Sequence, residues 1–214
     1  MARFEEEVVE RWYLIRGYLT ARNVGYEPLV KRPGGRGRGE IDILALKLGG
    51  GGVEDRVRCE VSVSVTSTFP FISKTRREVD EVYRLVKKFF SKGAHSKAVE
   101  YLGSEEYERQ LVSSELAKNY EELLRNNLPR FGSNLIGVTP KFSEGKVESV
   151  KVVIEHRPID SEIEMGGVME IEVIPFQTVV GELRGEFERR GLTKRDFADP
   201  TMRSIQYLTK YSQR

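Results

Sequence analysis

Three acidic residues in the first third of the chain are of a type and placement that could share one hard cation: Glu7, Asp42 and Glu60. Asp42 stands inside Ile41-Asp42-Ile43-Leu44 and Glu60 inside Cys59-Glu60-Val61. A carboxylate in such branched-chain surroundings gains nothing from strand propensity and is costly to bury without a partner. Glu7 sits in the acidic run at the start of a helical pattern, where carboxylates favour the helix dipole whatever their function. Asp42 and Glu60 are therefore the stronger candidates, and the Val61 carbonyl beside Glu60 is a further oxygen donor. Carboxylate and carbonyl oxygens are what Mg²⁺ or Mn²⁺ selects, and such an ion can polarise a phosphoryl oxygen and lower the pKa of an attacking water. The chemistry this predicts is phosphodiester hydrolysis.

Basic residues lie close by in sequence. Lys31, Arg32, Arg36 and Arg38 fall in a run of glycines that would let the backbone approach a phosphate, and the same run reads equally as a solvated loop. Lys74, Arg76 and Arg77 lie early in a helical stretch and are candidate nucleic-acid contacts or replacement cations, while the pairs Arg76-Arg77 and Lys87-Lys88 read equally as the wet side of that helix. Glu40 reads as a solvent or loop contact, with a metal or supporting role as the alternative. Cys59 packs as a small hydrophobe. His95 and His156 lack metal-ligand spacing, and the four glycines 49–52 lack the context of a nucleotide-binding loop.

Several elements must position these groups. Phe4, Val8, Trp12, Ile15 and Leu19 recur at helical spacing and predict a helix over residues 3–22. A short strand is expected over 26–30. Residues 40–48 and 57–66 flank the glycine turn as a hairpin, with Glu60, Ser62 and Ser64 on one face and Val61, Val63 and Val65 on the other. Residues 71–90 return to helical spacing through Ile72, Val79, Val82, Leu85, Val86 and Phe89. Beyond an ambiguous stretch, a strand at 109–113, a helix at 115–126 and a strand at 134–140 complete an α-β-β-β-α-β-α-β order. Strands at 147–155 and 168–174 and helices near 178–190 and 201–211 follow.

Composition narrows the setting. The chain has 214 residues, and 35 Lys+Arg against 33 Asp+Glu leave +2 at pH 7, so a nucleic-acid partner must be held by a local patch rather than bulk charge. The single cysteine excludes an internal disulfide, no apolar run is long enough to span a membrane and the N-terminus lacks a secretory pattern; a cytoplasmic protein is expected. A charged fraction of 32% points weakly to a heat-adapted source.

Taken together, Phe4-Glu5-Glu6-Glu7-Val8-Val9-Glu10, Gly39-Glu40-Ile41-Asp42 and Arg58-Cys59-Glu60-Val61-Ser62 resemble the PD-(D/E)XK nuclease superfamily, to which archaeal Holliday-junction resolvases and Mrr-type restriction enzymes belong. The resemblance implies an α/β fold with a restriction-endonuclease-like mixed β-sheet flanked by helices over residues 1–140, followed by a C-terminal α+β extension over 141–214. It also implies Mg²⁺ or Mn²⁺ held by Asp42, Glu60 and Val61, a role for Glu7 in fixing metal or water (Glu6 or Glu10 being substitutes), a DNA substrate and a homodimer. Where that family has its lysine, two residues after the glutamate, this chain has Ser62, which supplies no positive charge. A cation must then come from a neighbouring element, or the chain is a nuclease-fold protein that binds nucleic acid or serves as an assembly subunit without cleaving.

Overall fold

The computed structural model describes residues 4–27, 39–63, 74–113, 120–143, 145–192 and 197–211; the side chains of 74–78, 80 and 207–211 lie outside the description. Helix α1 (Phe4–Ile15) leads into β1 (Tyr18–Tyr26), β2 (Gly39–Gly49) and β3 (Gly52–Ser62). Helices α2 (Lys74–Phe89) and α3 (Lys92–Leu102) then precede β4 (Glu108–Ser113). Helix α4 (Tyr120–Asn127) and a short 3₁₀ turn lead to β5 (Ser133–Ser143), β6 (Lys146–His156) and β7 (Gly167–Pro175), and α5 (Phe176–Arg189) and α6 (Pro200–Tyr211) complete the order.

All seven strands form one mixed sheet in the order β1-β2-β3-β4-β7-β6-β5. The first three are antiparallel neighbours, β4 runs parallel to both β3 and β7, and β5-β6-β7 is an antiparallel meander. The parallel step from β3 to β4 needs a crossover, and α2 and α3 supply it. A boundary after residue 140 falls inside β5, and the strands that follow continue the same sheet.

Apolar alternation divides the packing between the faces. Val57, Cys59 and Val61 of β3, with Ile43 and Ala45 of β2, meet Val8, Val9, Trp12 and Tyr13 of α1 and Val179, Leu183 and Phe187 of α5. Cys59 is a buried free thiol. In a second cluster Val82, Leu85, Val86 and Phe89 of α2 cover Leu111 and the apolar residues of β6 and β7. Smaller side chains of α3, Ala94 and Ala98, pack on Ile41 and Leu44.

Local chemistry moved two boundaries away from the sequence expectation. The helix read over 3–22 stops at Ile15, because Gly17 at φ +87° takes the left-handed conformation that ends a helix, and the amides of Arg16 and Gly17 turn back to the carbonyls of Tyr13 and Leu14. The chain then re-emerges as β1, so Leu19 is exposed instead of belonging to the helix stripe. The strand expected over 26–30 is thus the end of a longer strand at Tyr26, with 28–30 outside the described residues. No helix among the described residues is long and apolar enough to cross a membrane.

Candidate functional site

At one end of the sheet β2 and β3 come apart. Their pairing ends with Ile43 opposite Cys59, and beyond it the Val61 amide donates to Asp42 Oδ2 at 2.7 Å. The aspartate thus occupies the gap where the ladder opens. The same register places Asp42 and Glu60 on the face of Leu44 and Arg58. Both carboxylates are buried.

A lysine from α2 joins them. Lys88 Nζ donates to Asp42 Oδ2 at 2.6 Å and to Glu60 Oε2 at 2.7 Å. Helical periodicity explains the approach: Leu85 and Phe89 anchor α2 to the core, and Lys88, three residues after one and next to the other, lies at the edge of that stripe. The other Glu60 oxygen is taken by Arg58, whose Nε and Nη2 both reach Oε1, at 3.2 and 2.8 Å. Arg58 Nη2 also donates to the Lys88 carbonyl at 2.6 Å, satisfying an acceptor in the last turn of α2 that the helix itself leaves open. The fully buried Arg58 therefore orients Glu60 and fastens β3 to the turn of α2 that carries Lys88.

These contacts set the charge states. Burial and the neighbouring Glu60 charge push Asp42 up to about 6, against the opposing pull of Lys88. Burial also works against ionised Glu60, but Arg58 and Lys88 outweigh it and lower its pKa. For Lys88 burial opposes the ammonium, and Glu60 and Asp42 overcome that and raise its pKa. At neutral pH the cluster holds two carboxylates against an ammonium and a guanidinium in a poorly solvated setting, where each charge depends on the others.

The cluster opens into a cleft of about 710 Å³. Asn23 and Tyr26 of β1, Glu40 of β2, and Val61 and Ser62 of β3 contribute to its lining, with Tyr83, Arg84 and Lys87 along α2. Asn23, at φ +53°, is the only non-glycine residue with positive φ among those described. Such a conformation is disfavoured in a strand and concentrates at functional sites.

The structure brings together Asp42, Glu60, Val61 and Ser62, but it sends Glu7 elsewhere. Glu7 accepts from Thr201 of α6 at 2.6 Å and lies 3.7 Å from Arg22. Its neighbour Glu6 is the α1 carboxylate that lines the cleft, because one residue rotates the side chain about 100° around a helix. The expected meeting of Glu7 with Asp42 and Glu60 is corrected accordingly. Glu10 is turned to Thr20 and Arg22. Val61 is held to Asp42 through its amide, whereas its carbonyl was the group expected to matter. Glu40, expected as a solvent or loop contact, is exposed on the rim of the cleft. Lys31, Arg32, Arg36 and Arg38 lie outside the described residues, and Lys74, Arg76 and Arg77 stand in the first turn of α2 with side chains outside them.

Sequence reasoning missed Lys88, reading the Lys87-Lys88 pair as solvated. The available signal was its position between Leu85 and Phe89, together with the need of a buried Glu60 for a counter-charge. The carboxylate oxygens of Asp42, Glu6 and Glu40 in the cleft, with Glu60 buried behind Lys88, are the donor types a hard divalent ion takes, and among the described residues no three of them are gathered closely enough to hold one as they stand. Such an ion would compete with Lys88 for them. No protein-family model, curated protein or solved structure matches this chain, so the arrangement of Asp42, Glu60 and Lys88 has itself to carry a functional reading.

Proposed function

We propose that this chain is a metal-dependent nuclease of the PD-(D/E)XK type, hydrolysing phosphodiester bonds in DNA, in which Lys88 of α2 replaces the lysine missing at Ser62. One observation carries the reading: an ammonium from a different element bridges the two carboxylates on the split hairpin, at 2.6 and 2.7 Å. The order of a helix, three antiparallel strands, a helical crossover and a parallel fourth strand agrees with it.

Asp42 and Glu60 would hold Mg²⁺ or Mn²⁺, and the bound ion would supply Lewis-acid polarisation of the scissile phosphate and a more acidic water. The protein's own groups do the remaining work. Lys88, kept charged by its two carboxylates, offers a fixed positive charge to the oxygens on which negative charge grows during attack. Arg58 holds Glu60 in one orientation and fixes the helical turn that presents Lys88. Arg84 and Lys87, on the same wall, are placed to take phosphates flanking the reacting one.

Incubating the protein with supercoiled, branched and single-stranded DNA in Mn²⁺ tests the reading. Cleavage is expected for wild type and is lost in Asp42→Ala and Lys88→Ala; cleavage that survives Asp42→Ala rejects it. A second reading has a specific observation behind it. Lys88 and Arg58 together neutralise Asp42 and Glu60 without any metal, as in a nuclease-like protein that binds nucleic acid and does not cut. That protein would bind DNA in a salt-sensitive manner indifferent to chelator.

A further inference from the structure

The cleft walls bear on which form of nucleic acid would enter. Tyr83 is a large aromatic residue on α2 with 38% of its surface exposed, next to Arg84 and one helical turn before Lys87. Its ring leans on Phe131 at 5.4 Å between centroids, and Lys87 Nζ lies 5.6 Å from the ring centre. It belongs to none of the three core clusters. Tyr26 reaches the same cleft from β1. A Cβ on Gly39 would stand 2.1 Å from the Tyr26 ring and one on Gly93 would stand 3.0 Å from it, so two glycines shape the place where that ring rests.

Two tyrosines from separate elements, Arg84 and Lys87 on the α2 wall, and Asp42 with its partner Lys88 therefore share one cleft of about 710 Å³. That volume is on the scale of sites that take a compact ligand, ~300–1,000 Å³. Aromatic rings with adjacent cations are how proteins hold unpaired bases and the backbone that links them. In a paired helix the base faces are already stacked on one another and unavailable to a side chain.

We propose that the cleft binds an unpaired nucleic-acid segment, seating bases on Tyr83 and Tyr26 and the backbone on Arg84 and Lys87. This rests on the nuclease reading only for the identity of the ligand as nucleic acid, and it narrows the substrate to single strands, flaps or frayed ends.

The test is fluorescence anisotropy in EDTA with end-labelled oligo-dT, oligo-rU and a blunt duplex of equal length, using the full chain. Wild type is expected to bind at least one of the single strands about tenfold or more tightly than the duplex, and the tighter of the two names the sugar. Tyr83→Ala weakens single-strand binding about tenfold and leaves duplex binding unchanged, while Tyr83→Phe, which keeps the ring, retains it. Equal affinity for single strand and duplex, no binding, or a neutral Tyr83→Ala overturns the proposal. Because EDTA removes any divalent ion, binding here with no cleavage in Mn²⁺ rejects the catalytic reading alone. Asp42-dependent cleavage of duplex without single-strand preference rejects this inference alone.

Discussion

Replacing Lys88 with methionine keeps the length of the side chain and removes its charge. Two charge-assisted hydrogen bonds are lost, to Asp42 and Glu60, and bonds of that kind contribute about 1.5–3 kcal/mol each. The Lys88 side chain is 28% exposed, so water recovers part of this, and a net destabilisation of about 2–4 kcal/mol is expected. For a chain of this size about 2–4 °C of melting temperature accompanies each kcal/mol, giving a fall of about 4–16 °C. The same change removes the group that competes with a divalent ion, leaving Asp42 and Glu60 with Arg58 as the nearby cation. Mn²⁺ should therefore bind Lys88→Met more tightly than wild type, and about 100-fold excess over its dissociation constant should restore about 2.7 kcal/mol. If Lys88 also stabilises the developing charge, cleavage drops about 10²–10³-fold even though the metal binds better. Thermal unfolding with and without Mn²⁺, titration calorimetry and a nicking assay measure the three quantities. A variant whose melting temperature and Mn²⁺ affinity both match wild type would refute the bridging role; one that binds Mn²⁺ more tightly and still cleaves at the wild-type rate would refute the catalytic one.

Three further expectations follow from the same cluster and its cleft. Asp42 titrates near 6 in the fold against an ordinary 3.8, so the folded state holds its proton more tightly, and the stability linked to that proton, about 3 kcal/mol at most, is present below pH ~4 and lost as pH rises towards ~6. Urea melts of the metal-free protein should show this loss and Asp42→Asn should flatten it, while Mn²⁺ affinity should climb up to pH ~6 and level off as Asp42 ionises. Arg58→Met leaves Glu60 Oε1 and the Lys88 carbonyl without their buried donor, with Lys88 still on Oε2, and should cost about 3–5 kcal/mol, much of it recovered in Arg58→Met/Glu60→Leu; denaturant unfolding of the two single variants and the double one checks this, and an additive cycle would contradict the coupling. Finally, Arg84→Ala and Lys87→Ala should each lower the slope of log affinity for single strands against log salt by ~0.7, read from titrations at several salt concentrations.

Much of the frame was legible in the chain itself. The glycine turn, the branched residues on either side of it and the alternation around Glu60 specify a hairpin with one polar face, because the strand period leaves Asp42 and Glu60 no other side. The helical period around Val82, Leu85, Val86 and Phe89 was equally readable. Periodicity is local, however, and it could not tell which α1 glutamate faces the cleft, since Glu6 and Glu7 differ by a rotation that only the packing of Val8, Val9, Trp12 and Tyr13 fixes. Nor could it bring Lys88 to Glu60 of β3, 28 positions earlier in the chain. The crossover sets that meeting by laying α2 on the sheet, and the Arg58 bond to the Lys88 carbonyl sets it in detail. Residue types determined that buried carboxylates would need a cation; tertiary structure decided which cation, because charge compensation acts through distances of a few ångströms in space and is blind to separation along the chain.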